Sequence, residues 1–244
     1  MAVFVLVHGA WHGGWCWQQT EKALRALGHD VHTPTLTGVG ERSHLLTADI
    51  TPDTHVADVV NTLKWRELDQ VILVGHSYGG MVTTGVASQV PERLKALVYL
   101  DAFVPEESGV SLFAKANPER MTGFLKQIQA GAIALEPDEA IDTWTADPAT
   151  RTWLLEYCTP HPKGCFDNGV TLSGREQEVA YRHYIVAGKN VSSPFQAEYD
   201  RVRDRNNWTS EVIPTLHDAM VEAPEDLARR LHLYAASIGE TVSV

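Results

Sequence analysis

The amino-acid sequence predicts an α/β fold with about six mostly parallel strands in one sheet, flanked by helices. Short apolar runs rich in β-branched residues alternate along the chain with segments of helical periodicity. That alternation builds a parallel sheet, because each helix returns the chain across the sheet in a right-handed crossover. The chain has 244 residues, enough for a sizeable core, and no repeat or linker divides it, so we expect a single domain over residues 1–244.

Several predicted elements have a recognisable beginning or end in the sequence. Gly28 ends the first helix, and Thr51 and Pro52 open the second as an N-cap and a helix-initiating proline. The predicted strands cover residues 3–7, 30–33, 71–74, 97–100, 181–187 and 211–214. The predicted helices cover residues 17–27, 53–65, 80–90, a stretch that begins near 194, and 224–238.

One insertion interrupts the alternation, between about residues 106 and 178. This stretch contains few β-branched runs and several aromatic residues in helix-like context, which predicts a helical cap over the sheet. Two interpretations of its aromatic residues stay open: they shape an apolar substrate pocket, or they form the core of the cap itself. The candidate pocket residues are Trp11, Phe103 and Trp144.

A serine in a strand–turn–helix setting is the strongest functional signal in the chain. The motif Gly75-His76-Ser77-Tyr78-Gly79 follows the predicted strand at 71–74 and precedes the predicted helix at 80–90. In this setting the Gly-x-Ser-x-Gly pattern allows a sharp, strained turn that lifts the serine hydroxyl above the sheet. Ser77 is therefore predicted to be a nucleophile; the alternative is a glycine-rich turn whose serine caps the helix.

A serine hydroxyl needs a base that removes its proton and a partner that orients the base. Among eleven histidines, His217 is the candidate base. It lies between the last predicted strand and the last predicted helix, and it follows the serine in the chain, as expected for a site of this kind. The alternative is a histidine that only fills a loop.

The acid that would orient His217 is not in the loop where it is most common. Residues 188–194, after the penultimate strand, contain no carboxylate, and Glu198 and Asp200 follow on the predicted helix. Asp101 ends the strand that follows the nucleophile helix, where its desolvation requires a charged or donating partner such as an imidazole N–H. We therefore predict Asp101 as the third member of the triad.

Backbone amides are the predicted stabilisers of negative charge that develops on the substrate. The first strand runs into His8-Gly9-Ala10-Trp11-His12, a turn that offers the Ala10 amide, and the Tyr78 amide directly follows the serine. His8 and His12 are spaced i and i+4, but on a turn rather than a helix. Because no further cluster of ligating residues completes a site, no metal or cofactor is expected.

These segments resemble the α/β-hydrolase family, and most closely its small branch of plant methylesterases, hydroxynitrile lyases and bacterial pyrethroid-type carboxylesterases. The resemblance is carried by residues 7–15, 33–42, 75–80, 99–105 and the loop around His217. It implies the α/β-hydrolase fold and acyl transfer by a serine–histidine–acid triad. Some hydrolases of this fold, haloalkane dehalogenases among them, carry the acid at the strand end that Asp101 occupies.

Two positions distinguish lyases from esterases within this branch. Lyases of the Hevea type carry a threonine before the oxyanion residue and a lysine after the catalytic histidine, and others carry an asparagine at the former position. The corresponding residues here are Gly9 and Asp218. Glycine offers no hydroxyl, and an aspartate is expected to repel an anion rather than hold it.

Taken with these residues, the resemblance implies a serine carboxylesterase that hydrolyses small to medium apolar esters through an acyl-enzyme. Two alternatives stay open. One is a hydroxynitrile lyase or another non-hydrolytic activity on the same triad. The other is a non-catalytic ligand-binding protein built on a hydrolase scaffold.

Composition limits the partners and the location that we expect. The net charge of −11 and the pI of about 5.4 disfavour nucleic acid and anionic membrane surfaces. No apolar run is long enough to span a membrane, and the start has no basic leader, so a cytoplasmic protein is predicted. The expected partner is a small-molecule ester, and a homodimer stays open. Cys16, Cys158 and Cys165 are predicted to be free thiols, with a Cys158–Cys165 disulfide left open.

Overall fold

The computed structural model describes residues 1–115, 122–190 and 193–239. Within these ranges, six parallel strands form the main sheet and two short strands form an antiparallel pair. The strands are β1 (Val3–Val7), β2 (Asp30–His32), β3 (Val71–His76), β4 (Leu94–Leu100), β5 (Ala134–Leu135), β6 (His161–Pro162), β7 (Tyr181–Ala187) and β8 (Trp208–Ile213). The main sheet has the order β2-β1-β3-β4-β7-β8. The predicted fold class is confirmed, and all six strands are parallel.

Helices cover both faces of the main sheet, and further short helices lie between β4 and β7. The α-helices of the described residues are α1 (Gln18–Ala26), α2 (Pro52–Trp65), α3 (Gly79–Gln89), α4 (Leu112–Lys115), α5 (Thr122–Gln129), α6 (Pro148–Tyr157), α7 (Gly164–Asp167), α8 (Pro194–Val202), α9 (Ala219–Glu222) and α10 (Pro224–Gly239). None of the helices in the described part of the chain combines the length and apolar character of a transmembrane span.

The two faces of the sheet carry separate hydrophobic cores. Successive strand side chains point to opposite faces, so Phe4 in β1 packs toward α1 and α10 while Val5 packs toward α2 and α3. Both side chains are fully buried. Burial on both faces explains why these strands are continuous apolar runs instead of alternating apolar and polar residues.

Most predicted elements begin and end within three residues of the observed ones. Strand β8 begins at Trp208, three residues before the predicted start at 211. The prediction missed these residues because this part of the strand is partly exposed and carries the polar side chains Thr209 and Ser210, which do not form an apolar run. Between β4 and β7 the described residues form short helices and the β5–β6 pair, and the sequence did not predict that pair. Strands of two residues each are too short to produce an alternating pattern. All three cysteines are free thiols.

Candidate active site

The candidate nucleophile lies at a sharp turn between β3 and α3. Ser77 has a φ of 54°, the left-handed region that L-residues seldom occupy and that costs about 1–3 kcal/mol. The Ser77 amide donates to the Leu100 carbonyl (3.2 Å), and the Ser77 carbonyl accepts from the amides of Gly80 (3.1 Å) and Phe103 (3.2 Å). These bonds hold the strained residue against the end of β4.

Glycines make this turn sterically feasible. A Cβ on Gly75 would lie 2.6 Å from the Gly79 carbonyl oxygen, and a Cβ on Gly79 would lie 2.7 Å from the carbonyl oxygens of Val7 and His8. A Cβ on Gly80 would lie 2.3 Å from the Phe103 carbonyl oxygen. The beginning of α3 therefore packs backbone against backbone with the ends of β1 and β4, which brings the first turn of the helix to the carboxyl edge of the sheet.

His217 and Asp101 form a buried pair at the same edge. His217 Nδ1 lies 2.6 Å from Asp101 Oδ2, and the two residues are 6% and 0% exposed. Because a carboxylate only accepts, Nδ1 carries the proton and Nε2 keeps its lone pair. The second oxygen, Oδ1, accepts from the Ala187 amide (3.1 Å), and the Asp101 amide donates to the Ile185 carbonyl (2.7 Å).

The other carboxylates considered for this role have different partners. Glu198 and Asp200 lie on α8, where Glu198 pairs with Arg201 and Asp200 with Arg203 at 3.3 Å. The loop after β7 lacks an acid, but Asp101 reaches the end of β7 from the neighbouring strand β4. The structure thus brings Asp101 and His217 together and leaves Glu198 and Asp200 on the helix.

The imidazole of His217 is held between two rings. Phe195 stacks on it, with ring centroids 4.8 Å apart and planes 2° from parallel. The His76 ring lies 4.5 Å away on a tilted plane, and His76 Nε2 donates to the His217 carbonyl (3.1 Å). Burial and the neighbouring His217 and His12 keep the pKa of His76 well below its ordinary value, so this donor is a neutral imidazole.

The amides of Ala10 and Tyr78 lie near Ser77 and are unengaged. Both residues are buried, at 4% and 1% exposure, and neither amide donates to another residue in the described ranges. Tyr78 directly precedes α3. A Cβ on Gly9 would lie 2.9 Å from Ser77 Cβ, so the peptide that carries the Ala10 N–H passes directly beside the serine. Buried amides without an acceptor are uncommon and can receive a substrate oxygen.

Asp218, which the sequence predicts to repel an anion, forms an ion pair with His12 in the structure. Its carboxylate is fully buried, and Oδ2 accepts from His12 Nε2 at 3.1 Å. Burial lowers the pKa of His12, but the Asp218 carboxylate more than offsets this and raises that pKa above its ordinary value. The charge of Asp218 is therefore balanced by His12.

The candidate pocket residues fall into two groups. Trp11 and Trp144 are both buried, with ring centroids 5.5 Å apart, and Trp11 Nε1 donates to the Leu135 carbonyl (2.7 Å). Phe103 packs instead against Phe195, at 4.8 Å between centroids, behind the ring that stacks on His217. Trp11 thus packs with Trp144, whereas Phe103 packs with Phe195, next to His217.

Two groups of side chains in the described residues bring three possible metal-ligand atoms within 4.8 Å of one another: His55 with His161 and Cys165, and His76 with His217 and Asp218. In the first group, His161 Nδ1 accepts from the Trp11 amide (3.2 Å), so its Nε2 carries a proton. In the second group, His76 Nε2 carries a proton because it donates to the His217 carbonyl (3.1 Å). With these hydrogen bonds in place, each group contains a protonated ring nitrogen that cannot bind a metal ion.

Sequence reasoning missed Phe195, His76 and the His12–Asp218 pair as neighbours of the candidate base, His217. His76 could have been found, because the residue before Ser77 lies at the same strand end as this candidate nucleophile. Phe195 and the His12–Asp218 pair join segments far apart in the chain, and no local pattern signals such contacts.

Comparison with known proteins identifies the family. A profile of the Alpha/beta hydrolase family matches residues 4–230. The carbendazim hydrolyzing esterase of Nocardioides sp. (strain SG-4G) is 42% identical over 239 residues, covering 95% of this chain and 98% of that protein. Methylesterase 7 of Arabidopsis thaliana is 36% identical over 246 residues, with 93% and 94% coverage. An extracellular α/β-hydrolase from a Paenibacillus species superposes with a TM-score of 0.81 at 25% identity, over 95% of this chain and 98% of that one. The chain belongs to the alpha/beta hydrolase family, and it is a hydrolase.

Proposed function

We propose that the protein is a serine carboxylesterase that cleaves small to medium apolar esters through a Ser77–His217–Asp101 triad. The observation that carries the proposal is the buried hydrogen bond of 2.6 Å between His217 Nδ1 and Asp101 Oδ2, beside a serine on a strained turn. The bond leaves His217 Nε2 as the free lone pair that a serine proton requires. The relatives with esterase names support the same reaction class.

In the first half-reaction, the Ser77 oxygen attacks the ester carbonyl carbon while His217 Nε2 takes the serine proton. The imidazolium that forms is stabilised by the Asp101 carboxylate on Nδ1. The carbonyl oxygen becomes an oxyanion, and it accepts hydrogen bonds from the backbone amides of Ala10 and Tyr78. Collapse of the tetrahedral intermediate breaks the ester C–O bond, and His217 gives its proton to the departing alcohol. The product is the acyl-enzyme on Ser77.

In the second half-reaction, water replaces the alcohol. His217 Nε2 takes a proton from the water as the water oxygen attacks the acyl carbon. The same two amides donate hydrogen bonds to the oxyanion that forms. Collapse releases the carboxylic acid, and the proton returns from His217 to Ser77. The chain ends in its starting state, so one water is consumed per ester.

Aromatic packing near the site supports a preference for flat or aromatic substrates. Trp11 directly follows Ala10. It stacks on Phe124, with ring centroids 5.8 Å apart, and packs at a tilt against Trp144, with centroids 5.5 Å apart. An esterase with 42% identity is named for hydrolysis of carbendazim. We therefore include carbendazim and aryl esters among the proposed substrates, together with simple acyl esters.

The geometry around Gly9 weighs against cyanohydrin cleavage. A Cβ at this position would lie 2.9 Å from both Ser77 Cβ and His76 Nδ1, so the threonine of Hevea-type lyases has no room here. The position after the base holds Asp218, whose carboxylate is bound to His12 and supplies no positive charge for cyanide. Ester hydrolysis is the function that these contacts support.

A panel of substrates tests the proposal. Purified protein is assayed with p-nitrophenyl esters of increasing acyl length, with carbendazim and with mandelonitrile. We expect ester turnover that is abolished in Ser77→Ala, and little cyanide release from mandelonitrile. Cyanide release at a rate that rivals ester turnover would replace the esterase with a lyase. Binding of esters without any turnover would favour the non-catalytic alternative.

A further inference from the structure

The turn at residues 8–12 holds the proposed oxyanion donor by contacts to its carbonyl groups. The Gly9 carbonyl and the Ala10 N–H belong to one planar trans peptide and point in opposite directions. A group that fixes the Gly9 oxygen therefore also fixes the direction of the Ala10 N–H. In the structure, that group is the His8 imidazole, whose Nδ1 lies 2.8 Å from the Gly9 oxygen.

The hydrogen bonds of His8 define its protonation. The Leu36 amide donates to His8 Nε2 at 3.1 Å, so Nε2 carries no proton. Nδ1 then carries the proton and donates it to the Gly9 oxygen. His8 is fully buried, and this burial lowers its pKa to about 3. The neutral imidazole thus connects the Leu36 amide to the peptide of the oxyanion donor.

The second carbonyl that flanks the donor is held by His12. Nδ1 of His12 lies 2.8 Å from the Ala10 oxygen, and Nε2 lies 3.1 Å from Asp218 Oδ2. Both partners only accept, so both ring nitrogens donate and His12 is an imidazolium. Because Asp218 directly follows His217, this ion pair also ties the turn to the loop of the catalytic base.

Backbone strain shows that the turn needs such support. Trp11, directly after Ala10, has a φ of 66°, which is unfavourable for a bulky side chain. Its amide donates to His161 Nδ1 at 3.2 Å. Three imidazoles therefore bind backbone groups of residues 9–11 and leave the Ala10 amide as the donor without a partner in the described residues.

We propose that His8 and His12 are positioning residues of the oxyanion hole: each holds one carbonyl beside Ala10, and together they aim the Ala10 N–H at the substrate oxygen. This inference rests on the proposed esterase function and adds two residues to its machinery. Neither touches the reacting atoms. Their loss should lower kcat with little change in KM, because the oxyanion forms only after substrate has bound.

Paired substitutions to asparagine and glutamine distinguish the role of Nδ1 from the role of Nε2 in each imidazole. Asparagine can place a donor near the Nδ1 position, and glutamine can place an acceptor or a donor near Nε2. In His8→Gln the bond to the Gly9 oxygen is lost, and kcat for p-nitrophenyl butyrate should fall about 10²-fold, as for loss of one oxyanion donor. His8→Asn should recover most of this loss. His12→Gln keeps a donor for Asp218 and loses the bond to the Ala10 oxygen, so it should behave like His8→Gln.

A pH profile gives an independent measurement for His12. Among the described residues, the titratable groups near His12 are Asp218 across the ion pair, His76 with its ring 6.2 Å away, and His8 and His161, whose pKa values burial and the charge of His12 lower. The three histidines stay neutral because burial lowers their pKa values. We expect kcat of the wild type to fall as pH rises through the raised pKa of His12, and this descending limb to be absent in His12→Gln.

A trifluoromethyl ketone serves as the probe of the hole, because its adduct with Ser77 carries an oxyanion. The affinity for this inhibitor should fall in parallel with kcat in His8→Gln and His12→Gln, while the downfield proton resonance of the His217–Asp101 bond persists. The matched control is His183→Gln, which replaces another buried histidine, on β7; its kcat and inhibitor affinity should equal those of the wild type.

The outcomes distinguish this inference from the proposed function. If the wild type hydrolyses esters and His8→Gln and His12→Gln keep wild-type kcat and inhibitor affinity, the positioning role is wrong and the esterase stands. If His8→Gln and His8→Asn lose activity equally, donation to the Gly9 oxygen is not the cause, and the role is again wrong. A wild type without ester turnover rejects the proposed function itself. Should His8→Gln not fold, His12→Gln decides the question.

Discussion

At the residue scale, the position of Asp101 explains how the proposed triad could form without an acid in the loop after β7. Asp101 has a φ of 41°, so the chain turns sharply as β4 ends and the carboxylate points toward the neighbouring strand. There it accepts from the Ala187 amide and the His217 imidazole. Two donors compensate for the desolvation of a carboxylate that is fully buried.

Substitution of Asp101 tests this assignment. In Asp101→Asn, kcat should fall by about 10⁴, because the amide no longer stabilises the imidazolium. KM should change little. Glu198→Gln and Asp200→Asn serve as matched controls on α8. Both should keep kcat within about threefold of the wild type, a much smaller change than the loss of about 10²-fold or more that follows removal of an acid–base group. A large loss of kcat in either control, with Asp101→Asn near wild type, would move the acid to α8.

Gly9 provides a second prediction at this scale. Gly9→Ala places a Cβ 2.9 Å from Ser77 Cβ and from His76 Nδ1, so the turn must shift away from the serine. Since a displacement of about 1 Å can cost about 10²-fold in rate, kcat for p-nitrophenyl esters should fall by that order. Gly9→Thr should lose ester hydrolysis and gain no cyanohydrin cleavage. Mandelonitrile turnover in Gly9→Thr would show that the turn accommodates the lyase residue.

At the element scale, the site depends on how closely the beginning of α3 approaches the end of β1. The Tyr78 amide precedes α3 and the Ala10 amide follows β1, so the separation of these two elements sets the distance between the two proposed oxyanion donors. Gly79 occupies the contact. The atoms nearest to it belong to the backbone of Val7 and His8, which cannot rotate away as a side chain can.

Gly79→Ala therefore separates α3 from β1. Its Cβ would lie 2.7 Å from two carbonyl oxygens, and overpacking of this kind costs about 1–3 kcal/mol of unfolding free energy. We expect that loss in urea denaturation, together with a lower kcat. Gly239→Ala is the control, because a Cβ there has no neighbour within 4 Å. Equal stability of Gly79→Ala and wild type would contradict the close contact.

The strands and helices of the main sheet could be predicted because their signals are local. The run Val71–His76 is apolar throughout, and Thr51 with Pro52 caps α2 as expected. The turn at Ser77 could also be predicted, because the Gly-x-Ser-x-Gly pattern shows in the sequence the glycines that such a turn requires. The β5–β6 pair and the His12–Asp218 bond could not be predicted, because each depends on contacts between segments distant in the chain. The partner of Asp101 was predicted from the cost of burying a lone carboxylate.

At the scale of the whole molecule, buried neutral histidines make stability depend on pH. Burial lowers the pKa of His8 to about 3 and of His55 to about 4, and it holds those of His76 and His161 well below the ordinary value. In the unfolded chain each titrates near pH 6.5. Below that pH the unfolded chain binds protons that the folded protein does not, so acid favours unfolding.

We expect the free energy of unfolding to decrease on acidification from pH 7 to 5. Each such histidine contributes a slope of up to about 1.4 kcal/mol per pH unit below pH 6.5. His12 acts in the opposite sense: its raised pKa adds stability that is complete below pH 6.5 and is lost as pH rises through that pKa. Urea denaturation between pH 5 and 7 measures the slope. His161→Gln should reduce this slope by the contribution of about one proton, up to about 1.4 kcal/mol per pH unit. An unchanged slope would contradict a neutral His161 in the folded protein.

Acylation of Ser77 is the most direct test of the proposed mechanism. The protein is mixed with excess p-nitrophenyl ester, quenched in acid and digested, and the peptides are analysed by mass spectrometry. We predict a burst of about one p-nitrophenolate per chain, the signature of an acyl-enzyme that hydrolyses slowly. We also predict the acyl mass on the peptide that contains Ser77, and neither burst nor acylation in Ser77→Ala. Acylation of a different residue, or full turnover by Ser77→Ala, would contradict the proposed mechanism.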